Sequence, residues 1–339
     1  MIIQNYRRKM PEQMRKKIKI NVYICENRKN MHQELLLRQI RRKIGNKSLN
    51  DEIANILNIS YDAAHRRTSL KARFSFEEAV ELAKYYQISL DGFLTSEHQI
   101  LVQKTKAVTE TGDLQSFFKH NLTVFENLPL SDGMTIYYSA KDIPFFYTLS
   151  DTLLSRFKIY VWMNLLNAKQ VFIPFVEFSP PDSELDTKAL KKKYEEQKVV
   201  ELWNNNTISS VLQQVVYYNE TGLLRKNEAK IILQELKELI EYIEQKTETH
   251  PKFQLYENEL MHLSNDIFFH HPQQSLFAIP TNMFGYILMN DEKTCNETLN
   301  YFDHQIKNSK SMNTSGNRDR KIFFNKMYRQ IENAGDKLS

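Results

Sequence analysis

Tyr61, Asp62, His65 and Arg66 lie within nine residues, SYDAAHRRT, and between them carry the polar groups that can meet the edge of a nucleobase. A guanidinium fork such as that of Arg66 fits the O6 and N7 acceptors of guanine, and the Asp62 carboxylate can accept from the N4 amino group of cytosine. The Tyr61 phenol and the His65 imidazole can meet a thymine methyl group or a phosphate oxygen. Ser60, Arg67, Lys71 and Arg73 flank these four, and Lys47 and the run Arg41-Arg42-Lys43 precede them. Cations and hydroxyls in such places suit phosphate contacts, which position a protein on a duplex without reading its sequence.

Other chemistry finds little support. His262, His270 and His271 lie near Glu259 and Asp266, but their spacing matches no metal-ligand motif, and structural or surface roles are expected. Cys25 and Cys295 stand far apart with no Cys or His at ligand spacing, so neither a disulfide framework nor a zinc finger is expected, and Cys295 reads as a small buried thiol. The chain has no GxGxxG or Walker-type loop, no GxSxG elbow and no HExxH. Trp162, Trp203 and the aromatic helices around them read as core. No enzyme, metal or cofactor is expected.

The elements that must present the first group of residues are legible. Asn50–Thr68, NDEIANILNISYDAAHRRT, reads as two short helices joined by a tight turn. Ala54 lets the helices approach, while Ile53, Leu57, Ile59 and Ala64 lock them. Asn58 takes the left-handed turn position, which Gly fills most easily and Asn next. Ser60 caps the second helix. Upstream, His32–Ile44 repeats apolar residues at Leu36, Leu37, Ile40 and Ile44. Downstream, Ser75 and Glu78 form a capping box ahead of an apolar stripe at Phe76, Ala79, Val80 and Ala83. ISLDGFL, with Leu90, Phe93 and Leu94, closes the bundle as a short fifth helix.

This order of helices, with the Asn-Ile-Ser turn, resembles the λ-repressor-like, or XRE-type, helix-turn-helix domain over roughly residues 32–95. The resemblance implies a five-helix bundle whose helix Ser60–Thr68 reads the major groove of double-stranded DNA. Asn58 departs from the usual Gly, and Arg67 stands in a slot that is often apolar, where its stem can pack while its head reaches a phosphate.

The net charge of +5 is unevenly distributed. Residues 1–30 carry +7, residues 31–95 carry +2 and the remainder carries −4, so the positive charge gathers at the end bearing the turn, as phosphate binding requires. Residues 1–30 read as a disordered basic arm, an organellar transit peptide or an over-extended start ahead of Met31; they lack the apolar stretch of a secretory signal. No apolar run is long enough to span a bilayer. With two distant cysteines, a reducing cytoplasm is the expected compartment.

Past residue 95 the composition turns aromatic, and a helical domain over 105–335 is expected. Leu114–Phe125, Leu149–Leu166, Asn227–Lys246, 293–307 and 318–332 read as helices. VFIPFVEFSPPD reads as an edge strand, with Pro174 keeping it off the sheet interior, ahead of a loop at Pro180–Pro181. Asp266–His270, Ser275–Ile279 and Phe284–Met289 read as three antiparallel strands. The fold class expected is therefore mainly α, with one small antiparallel sheet. Segments such as LLSRFKIYVWMNLL, VELWNNNTISSVLQQVVYY and TSGNRDRKIFFNKMYRQIE resemble the carboxyl half of a group of bacterial regulators with an XRE-type amino-terminal module. That resemblance implies a transcriptional regulator, a homodimer, whose larger domain dimerises it or senses a small-molecule or peptide effector. The alternatives are a protein-interaction module, antitoxin-like or an adaptor, that keeps the bundle as a scaffold, and an enzyme guided to DNA with its site near Glu259 and His262.

Overall fold

The computed structural model describes residues 31–90, 100–128, 133–166, 173–180, 184–260 and 263–338. The expected features at residues 1–30, Phe93, Leu94, Val171, Phe172, Pro181 and His262 lie outside the described residues. The chain forms two compact units, with the boundary between Leu101 and Val102.

The first unit begins with helix α1, residues 31–44, and continues with α2 (Leu49–Leu57), α3 (Tyr61–Thr68) and α4 (Phe76–Tyr85). Ile40, Ile53, Ala64 and Leu82, one residue from each helix, are fully buried together, so the periodic apolar positions converge on one centre. Each of α2, α3 and α4 opens on a serine whose hydroxyl accepts from a backbone N–H: Ser48 from Asp51, Ser60 from Ala63, Ser75 from Glu78. In α4 the buried stripe is Ala79, Leu82 and Ala83, whereas Phe76, expected on that stripe, is 77% exposed in the first turn. Of the expected fifth helix, only residues 88–90 are described; Ile88 is buried and Leu90 packs on the same core.

The second unit corrects the expectation of a small antiparallel sheet. It is built on an eight-stranded mixed sheet in the order β1-β7-β6-β5-β2-β3-β4-β8. The strands are β1 (Gln103–Lys104), β2 (Thr135–Ser139), β3 (Lys198–Trp203), β4 (Phe253–Glu257), β5 (Ile267–His270), β6 (Leu276–Pro280), β7 (Tyr286–Met289) and β8 (Lys310–Ser311). The meander β5-β6-β7 is the expected trio of antiparallel strands, registered Ile267 to Ala278 and Ala278 to Leu288. The unexpected part is its continuation through β2, β3 and β4, which run parallel to one another. Parallel neighbours need long crossovers. Those here carry helices: α5 (Asp113–Asn127) precedes β2, α6 (Leu153–Leu166) and α7 (Glu184–Glu196) link β2 to β3, and α8 (Ser209–Glu220) and α9 (Lys226–Thr249) link β3 to β4. The last helices are α10 (Glu292–Lys307) and α11 (Asn317–Gly335).

The strands alternate between two apolar layers. Ile136, Tyr138, Val199, Leu255 and Phe269 belong to the larger core, where α9 packs on α6, α8 and α11. Leu202 and Phe268 face the other way, onto Cys295 and Phe302 of α10. Of the stretch expected as one helix over Leu149–Leu166, α6 takes Leu153–Leu166, preceded by a 3₁₀ turn at Phe145–Thr148, and its first N–H groups at Leu153 and Leu154 donate to the Glu235 carboxylate. The stretch expected as an edge strand is a 3₁₀ turn, Phe175–Glu177. Arg156 donates to the Phe175 and Phe178 carbonyls, and Leu223 accepts from the Phe175 N–H, so the groups a strand would pair are already taken. Among the described residues, no helix is long and apolar enough to cross a membrane.

Candidate nucleic-acid interface

The turn between α2 and α3 is set by Asn58, at φ 51° and ψ 46°, whose N–H donates to the Ala54 and Asn55 carbonyls; the Ile59 N–H also donates to Ala54 at 3.0 Å. This left-handed step aims α3 away from α2, and Ile53 and Ala64 seal the angle from within. At about 100° per residue, Tyr61, Asp62, His65 and Arg66 share an arc of roughly 140°, with Ala64 and Arg67 on the other side. All four are exposed while Ala64 is buried, so the arc faces outward as a unit.

The two adjacent arginines have opposite circumstances. Arg66 is exposed and has no ion pair among the described residues. Arg67 turns inward: its Nε and Nη2 donate to the two carboxylate oxygens of Glu78, at 3.0 and 2.8 Å, and its Nη1 donates to the Ala63 carbonyl. Glu78 also accepts from the Ser75 N–H at 2.9 Å, which ties the start of α4 to α3. Partial burial works against its charge, but the Arg67 and Ser75 donors outweigh it and hold the Glu78 carboxyl below the usual range. The Arg67 guanidinium, expected at a phosphate, is thus spent within the bundle.

Asn50 of α2, which no sequence motif marks, organises the outward face. Its amide nitrogen donates to the Tyr61 hydroxyl at 3.0 Å and approaches His65 Nδ1 at 3.4 Å, while its carbonyl accepts from Thr68 Oγ1 at 2.6 Å. Gln33 of α1 holds the far end of α3: it donates to the Arg67 and Ala72 carbonyls and accepts from the Phe74 N–H. The segment bearing Lys71 and Arg73 is thereby fixed, and both side chains are exposed. Lys47 meets Glu52 at 3.2 Å, a largely exposed contact that a phosphate can replace at small cost. The Ser60 hydroxyl accepts the cap bond from Ala63 and keeps its own proton to donate.

The remaining candidates have structural partners. His270 meets Ser275 Oγ at 3.1 Å, and His271 accepts from the Gln273 N–H at 3.2 Å, so both shape the turn between β5 and β6. Glu259 accepts from Lys326 at 2.9 Å and from Asn205. Among the described residues, no group of three His, Cys, Asp or Glu side chains is placed to hold a metal ion. Cys295 is 4% exposed, and burial pushes its thiol up to about 11. Trp203 is fully buried and donates through its indole N–H to Glu201 at 2.7 Å. Glu201, itself fully buried, also accepts from Tyr147 at 2.8 Å and Tyr194 at 2.7 Å. Burial pushes the Glu201 carboxyl up against the pull of Lys246, whose ammonium lies 4.4 Å from the Phe253 ring centre. No family model, curated protein or solved structure matches the chain.

Proposed function

We propose that the chain is a sequence-specific DNA-binding transcriptional regulator of the λ-repressor-like (XRE) type, with α3 entering the major groove. The observation that carries this reading is the division of labour on α3. Arg66, Asp62, Tyr61 and His65 face outward from a rigid turn, while Arg67, the residue behind them, is spent on Glu78. Arg66 is assigned to guanine, Asp62 to cytosine, and Tyr61 and His65 to neighbouring base edges. Lys47, Ser60, Lys71 and Arg73 are assigned to phosphates, and the basic segment ahead of α1 adds non-specific attraction.

The chain acts as a homodimer in the cytoplasm and needs no cofactor. Two copies of α3 enter successive major grooves, ~34–36 Å apart on a two-fold symmetric site. Selection of bound sequences from a random duplex pool, with the purified chain at physiological salt, tests this. The expected result is an enriched inverted repeat with one fixed half-site spacing. Binding without enrichment and with a steep salt dependence would instead make the bundle a scaffold for protein partners.

A further inference from the structure

A cleft of about 350 Å³ opens just past the carboxyl end of β2, where Lys141 and Asp142 come two and three residues after the last strand residue, Ser139. Ligands of open α/β sheets bind outside the carboxyl ends of their strands. One wall is apolar, formed by Ile143, Phe145, Trp162, Met283 and Tyr286. The lining also includes the polar residues Ser210, Gln214, Ser264, Asn265 and Asn282.

Beside this cleft lies Lys158, whose side chain is fully buried. A buried ammonium is costly, and hydrophobic residues of similar volume are often neutral or better for stability. Lys158 donates to Asp142 Oδ2 at 2.6 Å and lies 5.2 Å from the Trp162 ring centre. The other Asp142 oxygen accepts from the Ile143 N–H at 2.8 Å, and the Asp142 N–H donates to Asn265 Oδ1 at 2.9 Å. Asn265 is held in the left-handed region, at φ 65°. Lys158 also donates to Gln214 Oε1 at 3.4 Å, so the pair and its partners fix the cleft wall.

One feature at the cleft keeps a positive bias. Lys141 is exposed at its edge with no ion pair among the described residues.

We propose that this cleft binds a small organic anion, a carboxylate whose apolar body is about the size of one aromatic ring. The carboxylate meets Lys141, and the ring lies along Ile143, Phe145 and Tyr286. The site is independent of how α3 is read, because binding is measured without DNA. The full chain would be titrated with phenylacetate, with neutral phenylacetamide and with cationic phenethylamine, three probes of matched size. Heat release and tryptophan fluorescence are the readouts. The chain has two tryptophans, of which Trp162 lines the cleft and Trp203 is fully buried elsewhere. The expected order is phenylacetate tighter than phenylacetamide, and phenylacetamide tighter than phenethylamine. Lys141→Gln should weaken phenylacetate about fivefold. The same variant should leave phenylacetamide unchanged, and Lys230→Gln, an exposed site on α9 that does not line the cleft, should leave all three unchanged. Equal or tighter binding of phenethylamine, no loss in Lys141→Gln, or no binding of any probe up to ~10 mM would overturn the proposal.

Discussion

At the scale of single residues, the contrast between Arg66 and Arg67 is the most consequential feature of the first unit. Arg66→Ala should cost about 1–3 kcal/mol in binding to the selected site and relax preference at one base pair per half-site. Lys71→Ala should weaken all duplexes alike and flatten the salt dependence, because a phosphate contact carries no sequence information. Binding isotherms on matched and scrambled duplexes at two salt concentrations separate the two behaviours. The Arg67–Glu78 pair makes a different prediction, about stability. Its carboxyl titrates below the ordinary value of 4.5 in the folded chain, so the stabilisation is full above that pH and is lost as pH falls through the folded value. Arg67→Met should destabilise the first unit near neutral pH and shrink its further loss on acidification. Urea midpoints of both chains at about pH 7 and about pH 3.5 provide the check. An unchanged acid sensitivity in Arg67→Met would show that other carboxylates dominate it.

Elements impose their own demands. The step from α2 to α3 passes through Asn58 in left-handed geometry, where a β-carbon costs about 1–2 kcal/mol unless the side chain compensates. Asn58→Ala should therefore destabilise the first unit by about 1 kcal/mol, while Asn58→Gly should be close to neutral. Thermal melts of the two variants decide this, and equal melting of the Ala and Gly forms would remove the turn strain from the account. In the second unit, β3 carries Glu201 among three donors, Tyr147, Tyr194 and Trp203. An amide in that place sets one of its own donors against theirs. Glu201→Gln should cost about 1–3 kcal/mol despite its nearly identical shape. Denaturant unfolding followed by tryptophan emission would report it directly, because the Trp203 indole is one of the donors.

For the molecule as a whole, two units with separate apolar cores predict two unfolding transitions. Asn58→Ala should move one transition, and Glu201→Gln the other. A single transition displaced by both variants in calorimetry would mean that the units fold as one cooperative body. The larger unit has the richer chemistry: an eight-stranded sheet, a buried ion pair beside an open cleft and a buried glutamate cage.

The amino-acid sequence alone determined the local architecture of the first unit, because each signal there acts within a few residues. Ser60 and Ser75 cap the helices that follow them, Asn58 takes the turn, and Leu36, Ile40 and Ile44 repeat at helical spacing. The meander β5-β6-β7 was legible for the same reason, as its strands are joined by short turns. Only the tertiary structure decided what depends on distant pairing. The run TIYYS becomes a central strand because KVVELW, some sixty residues later, lies parallel beside it, and short apolar runs do not distinguish strand from helix by periodicity. Arg67 faces inward because Glu78 is placed to receive it, and Asn50 reaches Tyr61, His65 and Thr68 only once the turn has folded α3 back against α2. The cleft at Asp142 likewise exists only in the fold, since Lys158, Gln214 and Asn265 come from separate segments that the sheet and its crossovers bring together.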